Sequence, residues 1–245
     1  MLLVIPYHSK SAALYKHIFD LGGLARHDVL LVGPNRLVHE MEGALNVLKG
    51  AFDHADIFTK DHEYPSANKL FVDTACFLDR IGCNHPWYWC DATCTPIKPT
   101  WLSEIAAEYG RNKMAFLGPR EVSVEVSPVS RTAQTEPDRL AACSVFPGDL
   151  YRRSQLLKQI SYAPGDATWN VDLRFEMRRA SRFSELMQHK PGTRGYFNDG
   201  AGMRFSERVG VFPNPPVLPE TVVISGVTDG SVLDLVQQKP KKIKT

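Results

Sequence analysis

Long apolar runs are missing from this 245-residue chain. The opening Met-Leu-Leu-Val-Ile stops at Pro6, too short for the core of a secretory leader or for a spanning helix. The expectation is no membrane partner and a cytoplasmic location. Charge of one sign is scarce as well. Lys and Arg number 29 against 27 Asp and Glu, a formal +2, so there is no global nucleic-acid signature. The exception is a basic tail over 237–245 that carries Lys239, Lys241, Lys242 and Lys244. Such a run is usually a solvated end and sometimes a polyanion contact. Cysteines at 76, 83, 90, 94 and 143 form no paired zinc pattern. Their odd number, with no secretory leader, predicts reduced thiols. Neither Gly-x-Gly-x-x-Gly nor Gly-Lys-Ser/Thr occurs, which excludes a dinucleotide fingerprint and a P-loop. No internal repeat is visible.

What is present is an ordinary globular composition, 43% hydrophobic and 23% charged, in a chain long enough to bury a sizeable core. Apolar runs at 2–5, 28–32 and 55–59 read as strands. Stripes at helical spacing over 11–21 and 37–48 lie between them, and Gly22-Gly23 and Gly33-Pro34 provide the stops. This alternation predicts a mostly parallel sheet with helical crossovers. Ligands on such sheets sit at the carboxyl ends of the strands, where Pro6, Tyr7, His8 and Ser9 fall. A helix over 66–81 follows, with Asn68 and Lys69 in its first turn facing those ends. Further expectations are a helix over 100–109, a strand over 114–117, a polar loop over 120–139 and a strand over 140–146. One helix is expected over 150–160 and another up to residue 180, with Asp172 in its first turn, where the positive helix end favours a carboxylate. Residues 183–187 read as a helix end or short strand, 191–204 as a glycine-rich loop, 213–219 as a proline linker and 221–225 as a β-rich run before a last helix.

The organising stretch is 86–102, P-W-Y-W-C-D-A-T-C-T-P-I-K-P-T-W-L. Aromatic strand formers end abruptly on Cys90-Asp91-Ala92-Thr93, and Pro96 and Pro99 then stop the strand ahead of the next helix. It resembles the metal-binding strand of GT-A glycosyltransferases, a hydrophobic strand ending in Asp-x-Asp before a proline and a Trp-Leu helix start. Asp91 matches the first acid and Thr93 stands at the second. The run W-N-V-D-L-R resembles the acidic helix start of those enzymes, with Asn170 at the catalytic acid and Asp172 at the later Asp. The turn G-V-T-D-G-S resembles a His-Gly-x-Lys-Asp-Gly-Ser-Leu motif of phage glycosyltransferase-like proteins, matching at Gly226, Asp229, Gly230 and Ser231. Ser225 stands at its His and Thr228 at its Lys.

The resemblance implies a single-domain GT-A-like, Rossmann-like α/β fold over 1–236, with a nucleotide-binding half over about 1–118 and an acceptor half over about 119–236. It implies a nucleotide-diphosphate sugar as donor, a UDP-sugar above others, and transfer to an acceptor hydroxyl. Donor contacts would come from Pro6, Tyr7, His8, Ser9, Asn68, Lys69, Asp91 and Thr93. Asp91 and Asp172 would be the catalytic carboxylates, Asp172 as the base. A divalent metal, Mn²⁺ or Mg²⁺, would be held by Asp91, with His189 or Asp199 as replacement ligands. The departures Thr93, Ser225 and Thr228 leave three routes: weak metal binding, charge neutralisation by Lys69, Lys98 or Arg194, or loss of catalysis. The phage-like motif and basic tail imply DNA as acceptor partner, a 5-hydroxymethylcytosine-type base flipped into the pocket inside a host cytoplasm. Arg120, Arg131 and Arg139 would track phosphates. A protein, glycan or small-molecule acceptor remains the alternative. The rivals are a nucleotidyltransferase, against which Pro6-Tyr7-His8-Ser9-Lys10 offers no glycine, and a non-catalytic binder of sugar nucleotide or DNA. The oligomeric state is not encoded in any of these features.

Overall fold

The computed structural model describes residues 1–7, 12–61, 67–91, 93–112, 115–121, 124–126, 133–135, 139–140, 143–160, 180–189 and 217–226. In chain order the elements are β1 (Leu2–Pro6), α1 (Ala12–Leu21), β2 (Asp28–Gly33), one 3₁₀ turn (Asn35–Leu37), α2 (Val38–Leu48), β3 (His54–Thr59), α3 (Ala67–Arg80), β4 (Trp87–Trp89), β5 (Thr95–Pro96), α4 (Trp101–Arg111) and β6 (Phe116–Gly118). Then come β7 (Arg120–Glu121), β8 (Val124–Val126), β9 (Ala133–Thr135), β10 (Arg139–Leu140), β11 (Val145–Phe146), α5 (Leu150–Arg153), α6 (Gln155–Ile160), β12 (Ser181–Phe183), β13 (Met187–His189) and β14 (Val223–Ser225).

Seven strands form the main sheet in the order β12-β6-β11-β4-β1-β2-β3. The pairs β1–β2, β1–β4, β2–β3 and β12–β6 are parallel, and only β11 runs against its neighbours. The expected mostly parallel α/β sheet is therefore present, with β4 in the middle, β1 beside it, and β2 between β1 and the edge strand β3. Strand alternation sorts the apolar residues onto two faces. Leu3, Ile5, Val29, Leu31 and Tyr88 join residues of α1, α2 and α4 in one core. Val4, Leu30, Val32, Trp87 and Trp89 join α3 and α5 in the other. The second core is aromatic: Phe71 of α3 lies edge-on to Trp89 at 5.2 Å and to Phe146 at 5.0 Å. Each such pair adds about 0.5–1.5 kcal/mol beyond its buried area.

Gly23 is required by close approach. A Cβ on Gly23, whose φ is +73°, would lie 1.6 Å from the Pro99 carbonyl oxygen. The corner after α1 thereby presses on the chain that leads from β5 into α4.

Five local expectations are corrected. Pro96 does not end a strand but lies in β5, opposite Val223 of β14. Ile97 N–H bonds to Val222 O, so by antiparallel alternation the backbone of Pro96 faces away from β14 and its missing N–H costs nothing. His17 Nε2 donates to the outward Pro96 carbonyl at 2.7 Å. The polar stretch 120–139 carries antiparallel pairing, β7 with β10 and β8 with β9, because valines alternate with polar residues along it. The apolar run 140–146 is two strands, since Leu140 pairs with Arg120 while Val145 pairs with Leu117 and Tyr88. The helix over 150–160 breaks at Ser154, whose extended backbone ends α5 and whose Oγ accepts Leu157 N–H at 3.1 Å to start α6. The reduced-thiol expectation fails at Cys94 and Cys143, which form a disulfide, while Cys76, Cys83 and Cys90 are free. The helix around Asp172, the loop over 191–204 and the last helix lie outside the described residues.

Candidate functional site

Parallel pairing of β1 and β4 builds the site. Val4 is level with Trp89, and Cys90 N–H donates to Val4 O at 2.8 Å. Continuing that register sets Asp91 beside Pro6, one residue before Tyr7. Both stretches therefore leave the carboxyl edge of the sheet on adjacent central strands.

Asp91 is half-buried and its Oδ1 anchors a tight turn. It accepts Thr93 N–H at 2.8 Å and Thr93 Oγ1–H at 2.6 Å. This is an Asx-type turn, in which an Asp side chain satisfies the backbone two residues on. Thr93 thus shapes the loop and holds the carboxylate still. Cys143 Sγ lies 3.3 Å and Cys94 Sγ 3.8 Å from the same Oδ1. Among the described residues the side-chain hydrogen bonds of Asp91 all fall on Oδ1, while its backbone carbonyl accepts Cys94 N–H at 3.0 Å, so Oδ2 is the carboxylate oxygen left for a ligand. Behind it, burial and then the Asp91 charge push the Cys90 thiol far above its usual range, which makes it unreactive. Burial also raises the Tyr88 phenol, with Cys90 and Asp91 adding to the shift.

Tyr7 is half-buried, its ring stacked on Tyr15 at 5.8 Å. Its hydroxyl donates to Glu40 Oε2 at 3.3 Å. Burial first, and then Glu40, hold its pKa above the ordinary value. The Phe71–Trp89 contact fixes the start of α3 near the end of β4, so exposed Lys69 and the backbone of Asn68 lie at the sheet edge that carries Asp91.

A small three-stranded sheet, β13-β14-β5, walls the other flank. His189 is level with Ser225, and His189 Nδ1 is hydrogen-bonded to Ser225 Oγ at 3.1 Å. The position matched to a metal-binding His is thus serine, and a histidine stands next to it on the neighbouring strand. The antiparallel register of β14 with β5, continued by one residue, sets Ser225 opposite Cys94. Gly226, at φ +88°, then turns the chain as the matched glycine requires. Lys98 does not join the site. β5 carries the chain away from Asp91, and Lys98 Nζ donates to Pro219 O at 2.6 Å. His8, Ser9, Asp172, Arg194 and Asp199 lie outside the described residues.

Sequence reasoning missed Cys94 and Cys143. Their sulfurs and the Asp91 carboxylate lie within 4.8 Å of one another. With the disulfide closed neither sulfur is a thiolate, so the trio is not a metal site in this state. The spacing Asp91-x-x-Cys94 was a local signal, but Cys143, 49 residues away, gave none. Among the described residues the donor set also fails to fit Mn²⁺ or Mg²⁺. Those hard ions take oxygen ligands, and here one carboxylate sits with a hydroxyl already bonded to it and two sulfurs.

No family model matches the chain, and no curated protein matches it in sequence. Its fold is similar to that of mouse xyloside xylosyltransferase 1, with TM-score 0.52 at 10% identity over 92% of this chain and 96% of that one. It is similar also to galactosyltransferase LgtC, solved with donor and acceptor sugar analogues, with TM-score 0.53 at 9% identity over 92% and 86%. A third likeness is to 4-diphosphocytidyl-2C-methyl-D-erythritol synthase from Anaerococcus prevotii, with TM-score 0.53 at 8% identity over 75% and 85%. The fold is thus the GT-A-like, Rossmann-like α/β type, a mostly parallel sheet with flanking helices in a single domain. No helix among the described residues is long and apolar enough to cross a membrane.

Proposed function

We propose that the chain is a glycosyltransferase that moves a sugar from a nucleotide-diphosphate sugar, a UDP-sugar above others, to an acceptor hydroxyl. The observation that carries the reading is Asp91 at the carboxyl edge of β4, side by side with Pro6 and Tyr7 on β1. Its Oδ1 is spent on the turn and its Oδ2 is open to a hydroxyl of the donor. Pro6 and Tyr7 form one wall of the donor cleft, and His8 and Ser9, next in sequence, are assigned donor contacts. Thr93 positions Asp91, and Asn68 and Lys69 face the diphosphate. Lys69 and Arg194 neutralise the departing diphosphate, since the donor set does not suit Mn²⁺ or Mg²⁺. Asp172 takes the proton of the acceptor hydroxyl. His189, paired with Ser225, borders the site and is not assigned a metal.

For the acceptor the reading is a hydroxymethylated base, of the 5-hydroxymethylcytosine kind, in phage DNA, with a protein, glycan or small-molecule hydroxyl as the equal alternative. Support for the DNA acceptor is the basic tail over 237–245. The second reading is nucleotidyl transfer, favoured by the likeness to the erythritol synthase. That likeness covers 75% of the chain against 92% for the two glycosyltransferases, and the β1 edge carries no glycine-rich loop. Thermal-shift screening of UDP-, GDP-, ADP- and CMP-sugars, with and without Mn²⁺, tests the donor. One sugar nucleotide should raise Tm with little gain from Mn²⁺, and a flat response to all four would refute the donor reading. Transfer of labelled sugar to hydroxymethylated but not unmodified DNA tests the acceptor.

A further inference from the structure

We infer that Asp91, Cys94 and Cys143 form a zinc-class metal site that the Cys94–Cys143 disulfide closes and a dithiol reductant opens. The three ligand atoms come from two segments held in fixed register. Asp91 and Cys94 flank the Thr93 turn after β4. Cys143 precedes β11, which pairs antiparallel with β4 through Val145 and Tyr88 and through Trp89 N–H to Ser144 O at 3.0 Å. Both cysteines are buried, and the atoms already lie within 4.8 Å of one another. The Cα atoms are 6.6 Å apart, so side-chain rotation alone lets the freed sulfurs take the roughly 3.8 Å spacing of two ligands on one tetrahedral zinc.

The donor chemistry selects the ion. Two thiolates and one carboxylate suit a borderline-soft tetrahedral ion and disfavour the hard Mg²⁺ and Mn²⁺. Three protein ligands leave the fourth position for water or an oxygen of a bound molecule. Outer contacts that orient the ligands are in place as well: Thr93 Oγ1 bonds Asp91 Oδ1 and lies 3.7 Å from Cys143 Sγ, and Tyr88 O–H points to Cys94 Sγ at 3.8 Å. In the opening step the S–S bond breaks and takes two electrons and two protons from a dithiol, which becomes its own disulfide. Zinc then displaces the two thiol protons.

The test uses the full chain and no sugar nucleotide, so its failure would leave the transferase reading standing, and the converse also holds. Air-oxidised and dithiol-reduced protein are freed of reagent and titrated with Co²⁺ and then Zn²⁺, with circular dichroism as the folding control. Expected are one Co²⁺ per reduced chain with thiolate-to-cobalt charge-transfer absorption, its displacement by Zn²⁺, and no uptake by the oxidised chain. Cys143→Ser should abolish the charge-transfer absorption, Asp91→Asn should weaken binding at least tenfold, and Cys83→Ser should change neither. A reduced, folded chain that takes up no metal would overturn the proposal. So would uptake equal in oxidised and reduced wild-type protein, a comparison that needs no variant to fold.

Discussion

Replacing Asp91 separates its structural from its chemical role. In Asp91→Asn the amide oxygen still accepts the bonds that Oδ1 takes from Thr93 N–H at 2.8 Å and Thr93 Oγ1–H at 2.6 Å. The change turns charge-assisted bonds into neutral ones, a loss of about 1 kcal/mol or less. For a domain of this size that lowers Tm by at most roughly 4 °C. Asp91→Ala removes both acceptors from the half-buried turn and costs about 1–3 kcal/mol, a fall of roughly 2–12 °C. On the donor side the two variants act alike, because both remove the charge at Oδ2. A charged hydrogen bond is worth about 1.5–3 kcal/mol, or roughly 10–150-fold in kcat/KM. The assay is calorimetry of the three proteins together with donor turnover. An Asp91→Asn variant that matches wild type in kcat/KM would refute the placement of Asp91 against the donor. Asp91→Asn and Asp91→Ala variants melting at the same reduced temperature would refute the two-oxygen division of labour.

Glu108 offers a purely structural counterpart. It is buried and accepts Ser184 Oγ–H at 2.6 Å and Glu185 N–H at 3.0 Å, tying α4 to the start of the β12–β13 connection. Glu108→Ala should cost at least one charged hydrogen bond, about 1.5–3 kcal/mol, seen as an earlier urea midpoint. His27 is held neutral by burial, which sets its folded pKa below the ordinary 6.5. The folded state then binds fewer protons than the unfolded, so stability falls as pH drops through 6.5 toward the folded pKa, and His27→Gln should flatten that slope in acid melts. With the Cys94–Cys143 disulfide closed, turnover should persist in excess EDTA, while Lys69→Ala should lower it. Complete loss in EDTA with full recovery on Mn²⁺ would show that other residues supply hard ligands.

The parallel core was legible because its strands are short apolar runs, two of them closed by Pro6 and Gly33, and the helices between them carry periodic stripes. The same logic placed Asp91 and Tyr7 at one edge, since they lie within two residues of the ends of two strands of one sheet. Features that depend on partners distant in sequence were not legible. Residues 140–146 form one apolar run, yet the strand partner changes from β7 to β4 and β6 within it. Pro96 reads as a strand stop, and only its outward-facing backbone in an edge pair reconciles it with β5. Ser154 looks like any polar residue on a helix until its hydroxyl is seen to start α6. The Cys94–Cys143 pair arises from the β4–β11 register, which no local spacing announces. That register also changes the chemistry of the site, from a hard-ion cradle implied by the resemblance to a carboxylate beside two sulfurs.

The most direct test of transferase chemistry is product analysis after long incubation with a sugar nucleotide, followed by incubation with a nucleoside triphosphate and a sugar phosphate. A glycosyltransferase should slowly release free sugar and nucleoside diphosphate from the first mixture by hydrolysis, release the nucleoside diphosphate faster when an acceptor takes the sugar, and form no pyrophosphate from the second. Pyrophosphate release from the second mixture with an inert first one would contradict it.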